Sequence, residues 1–305
     1  MDTPKAPTCP VCSVEMDEFT TALDRRYDTT PDDRFEVLKC EICGLERTLI
    51  GDADLDEFYP STYTPHSHQS ASQSGLQRVY GRFLSTIDQA VGFDDLSEFV
   101  NQIAESGTVL DVGCGSGELL ADLDELGYDV TGCDVSSDAA RVAADRGYDI
   151  DIGRLPDCSY PDDAFDVVCF EHSFEHVADP IGYRQEVHRI LRPNGSVVIE
   201  VPNPASIAAR VFGEYWCERE VPRHVFNWPP EALQSFFEAG GFRTDEIEHS
   251  GSPRALRNSL RYWLADRGID TPRVDLLDPV LMWPTALTAI VNGGERYRVA
   301  FSATE

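Results

Sequence analysis

Lysine is almost absent: of the 25 basic residues in this 305-residue chain only Lys5 and Lys39 are lysines, and the rest are arginine. Basic charge is itself scarce against 54 acidic residues, leaving a formal net charge of −29. So acidic a chain argues against nucleic acid as a partner, because that binding is driven by basic groups displacing phosphate counterions. Dense carboxylates with few lysines instead fit a protein kept hydrated in concentrated salt, in a salt-loving organism. An apolar leader is lacking in the opening MDTPKAPTCP, so a cytoplasmic location is expected. Long apolar runs are lacking too. The most apolar late stretch, residues 276–291, is broken by Asp278, Pro279 and Pro284. It is too short for stable membrane insertion and reads as core, with shallow membrane contact as the rival.

Cysteine, by contrast, is plentiful, with nine. Without a leader these suggest metal ligands and free thiols rather than disulfides. Four fall in two pairs of equal spacing, Cys9-Pro-Val-Cys12 and Cys40-Glu-Ile-Cys43, the second followed by Gly44 for a tight turn. Four thiolates suit tetrahedral zinc with every position filled by protein, hence a structural site. The gap of 27 residues between the pairs needs an intervening hairpin. Unpaired buried thiols are the alternative, and a redox pair is disfavoured because no strand-to-helix pattern surrounds either motif. Residues 1–51 therefore read as a zinc ribbon and 52–75 as a polar linker, in which His66 and His68 are solvated bystanders. Apolar residues at helical spacing then predict N-terminal helices within 76–106.

From Thr108 apolar runs alternate with amphipathic stretches. VLDVG, YDVTGCD, YDIDIG, FDVVCFEH and GSVVIEVPN read as strands, with helices GELLADLDELG, SSDAARVAADRG and IGYRQEVHRILRP between them. A helix EALQSFFEAGGF and strands RTDEIEHSG and ERYRVAFSATE follow. This alternation implies an α/β, doubly wound, mostly parallel sheet covered on both faces. The stretch TVLDVGCGSG places Gly113, Gly115 and Gly117 after the first strand. A dinucleotide fingerprint wants its third glycine at position 118, and a P-loop wants Lys and Ser/Thr after its last glycine. Glu118 stands there instead. Its carboxylate would compete with a pyrophosphate for the helix amides, so the loop fits a nucleoside-like ligand without phosphate. Asp111 precedes the loop, and Asp134 closes the second strand, placed to accept from both ribose hydroxyls.

VLDVGCGSGELLADLDELGYDVTGCDVS resembles the first motif region of class I S-adenosylmethionine-dependent methyltransferases. FDVVCFEHSFEHVADP and ILRPNGSVVIEVPN resemble that superfamily's later motifs. The likeness is greatest to the subset with an N-terminal zinc ribbon, a tyrosine-bearing linker (Tyr59, Tyr63) and a late PRHVFNW segment. It covers nearly the whole chain and, with the charge, points to a halophilic archaeon. The resemblance implies a Rossmann-like seven-stranded domain over 76–305, with acceptor-side lid and insertions at 204–230 and 252–294. It implies S-adenosylmethionine as donor, lying against Gly113, Cys114, Gly115 and Gly117. Asp111 would meet its ammonium, Asp134 with Val135 its ribose, and Glu171 and His172 its sulfonium. Gly153 and Leu155 would flank adenine. Relatives often carry an acid at the adenine position, where this chain has Arg154, so backbone and Leu155 are expected to hold the ring.

Methyl transfer is an in-line displacement, which the enzyme chiefly aligns. An oxygen acceptor can also need a general base, for which histidine is suited. His224 and His176 are the expected bases, with His172 a further candidate and His188 a surface residue. For His176 the rival is a ring bonded to hold its loop, and Glu175 is a helix cap or a partner orienting that ring. Arg223 is expected to grip a carboxylate or phosphate, and Trp216 and Trp228 to stack on a sugar-like acceptor. The rival is a lid packed for structure, with Arg223 paired to Glu218 or Glu220. By analogy the acceptor is a small molecule or glycan, methylated at oxygen. Competing functions are an NAD-dependent oxidoreductase, disfavoured by Glu118, a non-catalytic zinc-ribbon binding protein, and an interaction protein built on 276–291.

Overall fold

The computed structural model describes residues 7–27, 29–30, 33–51, 55–59, 95–269, 288 and 293–304. Strands β1 (Asp17–Leu23), β2 (Arg34–Lys39) and β3 (Glu46–Thr48) open the chain, each antiparallel to the next. There follow α1 (Leu96–Ile103), β4 (Thr108–Val112), α2 (Glu118–Glu125), β5 (Asp129–Asp134), α3 (Ser137–Asp145) and β6 (Asp149–Ile152). Next come β7 (Phe165–Glu171), α4 (Pro180–Ile190), β8 (Leu191–Pro202), α5 (Ile207–Phe212) and β9 (Phe226–Asn227). The chain continues through α6 (Pro230–Glu238), β10 (Phe242–Ser250), α7 (Pro253–Ala265) and β11 (Arg296–Ala303).

Seven strands form one sheet in the order β10-β11-β8-β7-β4-β5-β6. Only β11 runs against its neighbours, so the Rossmann-like, mostly parallel fold expected from the alternation holds. The central strands show why: Val109, Leu110, Val167, Val168, Val197, Val198 and Ile199 are consecutive apolar residues, all buried. Such a run suits a strand covered on both faces and would be wasteful on a half-exposed one. Side-chain caps mark the helix starts, Ser136 accepting from Ala139 N before α3 and Asp179 from Gly182 N before α4. Strand order departs in opposite directions from β4, toward β5 on one side and β7 on the other. That switch point opens a crevice at the strands' carboxyl ends, where such sheets bind ligands.

The N-terminal unit does not stand apart. β3 pairs antiparallel with β9, giving a four-stranded sheet β1-β2-β3-β9 whose last strand comes from the PRHVFNW segment. Thr48 N donates to Val225 O at 2.9 Å, and its hydroxyl to His224 O at 2.8 Å. Cys9, Met16, Leu38 and Leu45 share one buried cluster with Phe174, Phe226 and Trp228. Phe58, beyond the expected boundary at 51, packs edge-on against Phe35 of β2 at 5.5 Å. The insertion expected over 252–294 begins with a regular helix, α7, capped by Ser252. His66, His68, Tyr63, the 276–291 segment apart from residue 288, and the helices expected within 76–94 lie outside the described residues. Among those described, no helix is long and apolar enough to cross a membrane.

Candidate active site

The glycine loop follows β4 and folds back over β5. Gly113 N and Cys114 N both donate to Cys133 O, at 2.7 and 3.2 Å. Gly113 has a positive φ of 79°, and a Cβ there would come within 2.6 Å of the Ser173 Cβ, so no other residue fits. Asp134 ends β5 with its carboxylate held on both oxygens. Oδ2 accepts from Gly115 N at 2.9 Å and Oδ1 from Ser136 N at 2.7 Å. Each oxygen keeps a second lone pair, so the group both fixes the loop and retains acceptor capacity.

Acids converge beside it. Asp111 is buried, its Oδ1 has no hydrogen-bond partner, and burial with the charges of Glu171 and Asp134 holds its carboxyl well above the usual range. Glu171 is pushed up to about 7 by burial and by Glu200. His172, at a left-handed φ of 49°, turns its ring between Glu175 (3.6 Å) and Glu200 (3.3 Å). Burial and Arg296 push its pKa down, but the two carboxylates outweigh them and raise it to about 10, so the ring is a cation. Two apolar side chains stand exposed beside Asp134, Val135 (58 %) and Ile152 (63 %). Leu155 instead is fully enclosed in the core, so its side chain offers no open face to an adenine. Gly153, whose N donates to Asp134 O at 3.0 Å, keeps its backbone at the mouth.

His176 and His224 are brought together edge to face, ring centroids 4.7 Å apart. His176 Nδ1 lies 3.0 Å from Arg223 O and 2.9 Å from the Tyr59 hydroxyl. A carbonyl only accepts, so Nδ1 carries the hydrogen and Nε2 presents a lone pair. His224 repeats the pattern: Nδ1 donates to Glu218 O at 2.8 Å, and Nε2 faces Glu175 Oε1 (3.9 Å) and Glu220 Oε2 (3.8 Å). Burial and His176 push the His224 pKa down to about 3, so this ring is neutral. His224 is enclosed, whereas His176 is half-buried and nearer the cleft. His188 is exposed, as expected.

Three expectations for the acceptor pocket are corrected. Arg223 is wholly buried, and its guanidinium binds Asp24 through both terminal nitrogens (2.6 and 3.0 Å), Glu220 through Nε (3.2 Å) and the Phe58 carbonyl (3.1 Å). Burial alone would raise Asp24, but Arg223 and Thr29 overcome it and hold that carboxyl at about 2. The arginine clamps the N-terminal unit to the segment before β9, and breaking such a pair costs about 3–5 kcal/mol. Trp228 is enclosed among Phe174, Phe226 and Phe236, with centroids at 5.5, 5.6 and 5.0 Å. Trp216 is buried against Ala208 and Ala209. Neither indole has a face for a ligand. Sequence reasoning assigned no role to Asp24 or Ile152, and Tyr59 entered only as part of a motif; Glu220 was named in the rival reading as a partner of Arg223, and it is one.

The four ribbon cysteines meet as the spacing predicts. Their sulfurs lie within 4.8 Å of one another, with Cys9 Sγ to Cys43 Sγ at 3.6 Å. Cys12 N points at Cys9 Sγ (3.5 Å), backbone amides of Cys43 and Ile42 favour the Cys40 thiolate, and Gly44 takes φ 76°. Amides aimed at thiolates and a left-handed glycine fit a tetrahedral metal knuckle.

A parallel sheet that reverses beside a glycine loop, with an acid closing the next strand, defines a Rossmann-like domain for a nucleoside-bearing ligand. The chain belongs to the methyltransferase-domain family, whose model matches residues 83–247. The expectation of a methyltransferase enzyme domain therefore holds. Among curated proteins the chain is similar to a ubiquinone biosynthesis O-methyltransferase of Cereibacter sphaeroides, 32 % identical over 155 residues, or 47 % of this chain and 62 % of the relative. A protein of the same name from Ruegeria pomeroyi is 32 % identical over 145 residues, 43 % of this chain and 58 % of the relative. The chain thus spans about 60 % of the length of these relatives. Among solved structures, a SAM dependent methyltransferase from Archaeoglobus fulgidus aligns with TM-score 0.49 and 20 % identity, over 68 % of this chain and 90 % of that one.

Proposed function

We propose that the protein transfers a methyl group from S-adenosylmethionine to a hydroxyl oxygen of a small-molecule or glycan acceptor. One observation carries the reading: Asp134, pinned by two amides, sits beside a cluster of acids and a glycine loop whose helix mouth is already negative. The Ser116 hydroxyl donates to both Glu118 oxygens, at 2.9 and 2.8 Å, where a dinucleotide would need its pyrophosphate. Such a site suits a ligand with positive charge and no phosphate, and disfavours NAD. Family membership supports the donor, and the names of the relatives support oxygen as acceptor.

S-Adenosylmethionine supplies an electrophilic methyl on cationic sulfur. The backbone of Gly113, Cys114, Gly115 and Gly117 borders it, Asp111 faces its ammonium, and Asp134 accepts from its ribose. Val135 and Ile152 flank adenine over the backbone of Gly153, with Leu155 as support beneath. Glu171 borders the sulfonium, whereas His172, expected there too, is a cation paired with Glu175 and Glu200 and does not serve a cationic sulfur. The acceptor oxygen forms the new bond to carbon, the C–S pair stays on sulfur, and the hydroxyl proton passes to Nε2 of His176, with His224 behind it.

Calorimetric titration should show binding of S-adenosylmethionine and its demethylated product and none of NAD. Donor affinity should rise with pH through about 7, because Glu171 must ionise to meet positive charge. The sign follows from its raised pKa: proton retention by Glu171 stabilises the unliganded fold below about 4.5, and that share is lost as pH climbs toward about 7. Affinity for NAD equal to that for S-adenosylmethionine, or a flat pH profile, would overturn the assignment. His176→Ala should retain donor affinity and lose roughly 10²-fold in turnover.

We also infer that the cysteine site holds structural zinc and that the acid excess adapts the chain to a halophilic, salt-rich cytoplasm. With 54 acids against 25 bases, removing counterions leaves self-repulsion unscreened. The melting temperature should fall steadily from molar salt to about 0.1 M. A flat profile would mean the charge serves something else.

A further inference from the structure

Behind the cleft lies a second set of metal-ligand side chains that the methyl-transfer reading uses only in part. We propose that Glu175, His176 and His224 bind a first-row divalent cation. Their ligand atoms lie within 4.8 Å of one another, bringing two imidazoles and one carboxylate together. The orientation of the rings is the first argument. Each histidine gives its Nδ1 hydrogen to a backbone carbonyl, Arg223 O at 3.0 Å and Glu218 O at 2.8 Å. That leaves Nε2 of both rings as acceptors, and a backbone carbonyl on the other nitrogen is the support a metal-bound histidine commonly has.

The second argument is Glu175 itself. It is 1 % exposed, and neither carboxylate oxygen has a hydrogen-bond partner. His172 Nδ1 stands 3.6 Å from Oε1, too far for a short charged hydrogen bond, and the same ring lies nearer Glu200, at 3.3 Å. His224 Nε2, at 3.9 Å, brings a lone pair rather than a proton. The His172 cation, at 3.6 Å, offsets this carboxylate from one side only; toward His224 it meets a ring lone pair with no proton between them, a gap that a metal cation fits. Two nitrogens and an oxygen are borderline ligands, suited to zinc, cobalt, iron or manganese rather than to calcium. Three protein ligands leave coordination positions open, and His176 is the ligand nearest the cleft.

This rests on the proposed methyl transfer only for its consequence. A cation there would lower the pKa of an acceptor hydroxyl bound to it, and His176 and His224 would serve as ligands instead of bases. Binding itself needs no acceptor, so the two readings fail separately. The test uses the whole chain in molar salt, which screens weak sites on the acidic surface. The protein is dialysed against cobalt or zinc and its metal content measured, with the cobalt spectrum distinguishing thiolate from nitrogen–oxygen ligation. Two equivalents are expected in the unaltered protein, one with thiolate charge-transfer bands and one without. Glu175→Gln and His224→Gln should each lose the second equivalent while retaining the first and binding S-adenosylmethionine as before. A single, thiolate-bound equivalent in the unaltered protein overturns the proposal, independently of whether either variant folds. So does a second equivalent that persists in both variants.

Discussion

Stripping the zinc proposed at Cys9, Cys12, Cys40 and Cys43 should disturb the segment around His224 and Arg223 as well as unfold the N-terminal unit. Structural zinc in small cysteine sites supplies about 10–16 kcal/mol of folding free energy, against roughly 5–15 kcal/mol for the net stability of a whole domain. In this chain the proposed zinc site is coupled to the segment that carries β9. β3 pairs with β9, the Thr48 hydroxyl holds His224 O, and Asp24 grips Arg223. Without the ribbon, Arg223 keeps a buried charge with only Glu220 beside it in the same segment. We expect strong chelation or Cys40→Ser to lower the melting temperature by ten degrees or more. Donor binding should suffer far less, because the glycine loop and Asp134 make none of these contacts. A tightly held thiolate-bound equivalent of zinc should accompany the intact fold. Less than about a tenth of an equivalent, with all four thiols freely titratable, would mean the ribbon folds without metal.

Asp134→Ala should weaken S-adenosylmethionine binding by about 2–4 kcal/mol, roughly 30- to 1000-fold in Kd, for two charge-assisted hydrogen bonds to ribose. The structure adds a reason for the upper end. The same carboxylate accepts from Gly115 N and Ser136 N, so its loss also frees the glycine loop from β5. Asp134→Asn separates the two effects. Its amide oxygen can keep one backbone donor, but its NH2 meets the other, so the loop is disturbed even though shape is preserved. Equilibrium titration of folded variants checks both. An unchanged Kd in Asp134→Ala would place the ribose elsewhere.

The catalytic sheet was legible in the sequence because its signals are local. Continuous apolar runs such as VVIEV, glycines forced by close approach, and serine or aspartate caps each announce themselves within a few residues. The ribbon cysteines were legible for the same reason. The acceptor side was not. Arg223 and Trp228 look like binding residues in PRHVFNW, yet the arginine's partner is Asp24, 199 positions away. Nothing near Asp24 in TTALDRRYD announces an ion pair. Trp228 belongs to an aromatic core shared with α6, and Leu155, chosen for adenine, is likewise drawn inward. Burial of a polar or aromatic side chain is decided by tertiary neighbours that a motif does not contain. Exposed Ile152 could have been noticed: the last apolar residue of a strand that ends at a ligand crevice has little core to enter.

The β3–β9 pairing also dictates an order of assembly during synthesis. The ribbon's cysteines leave the ribosome long before residues 226–227, which complete its sheet. Until then β3 presents an unpaired edge, and the apolar side chains around Met16, Leu38 and Leu45 lack Phe226 and Trp228. Contacts so distant in sequence close late and slowly. The nascent ribbon must therefore wait, open-sided and in need of protection, through most of translation. For the same reason it is a poor candidate for transplantation as an autonomous module.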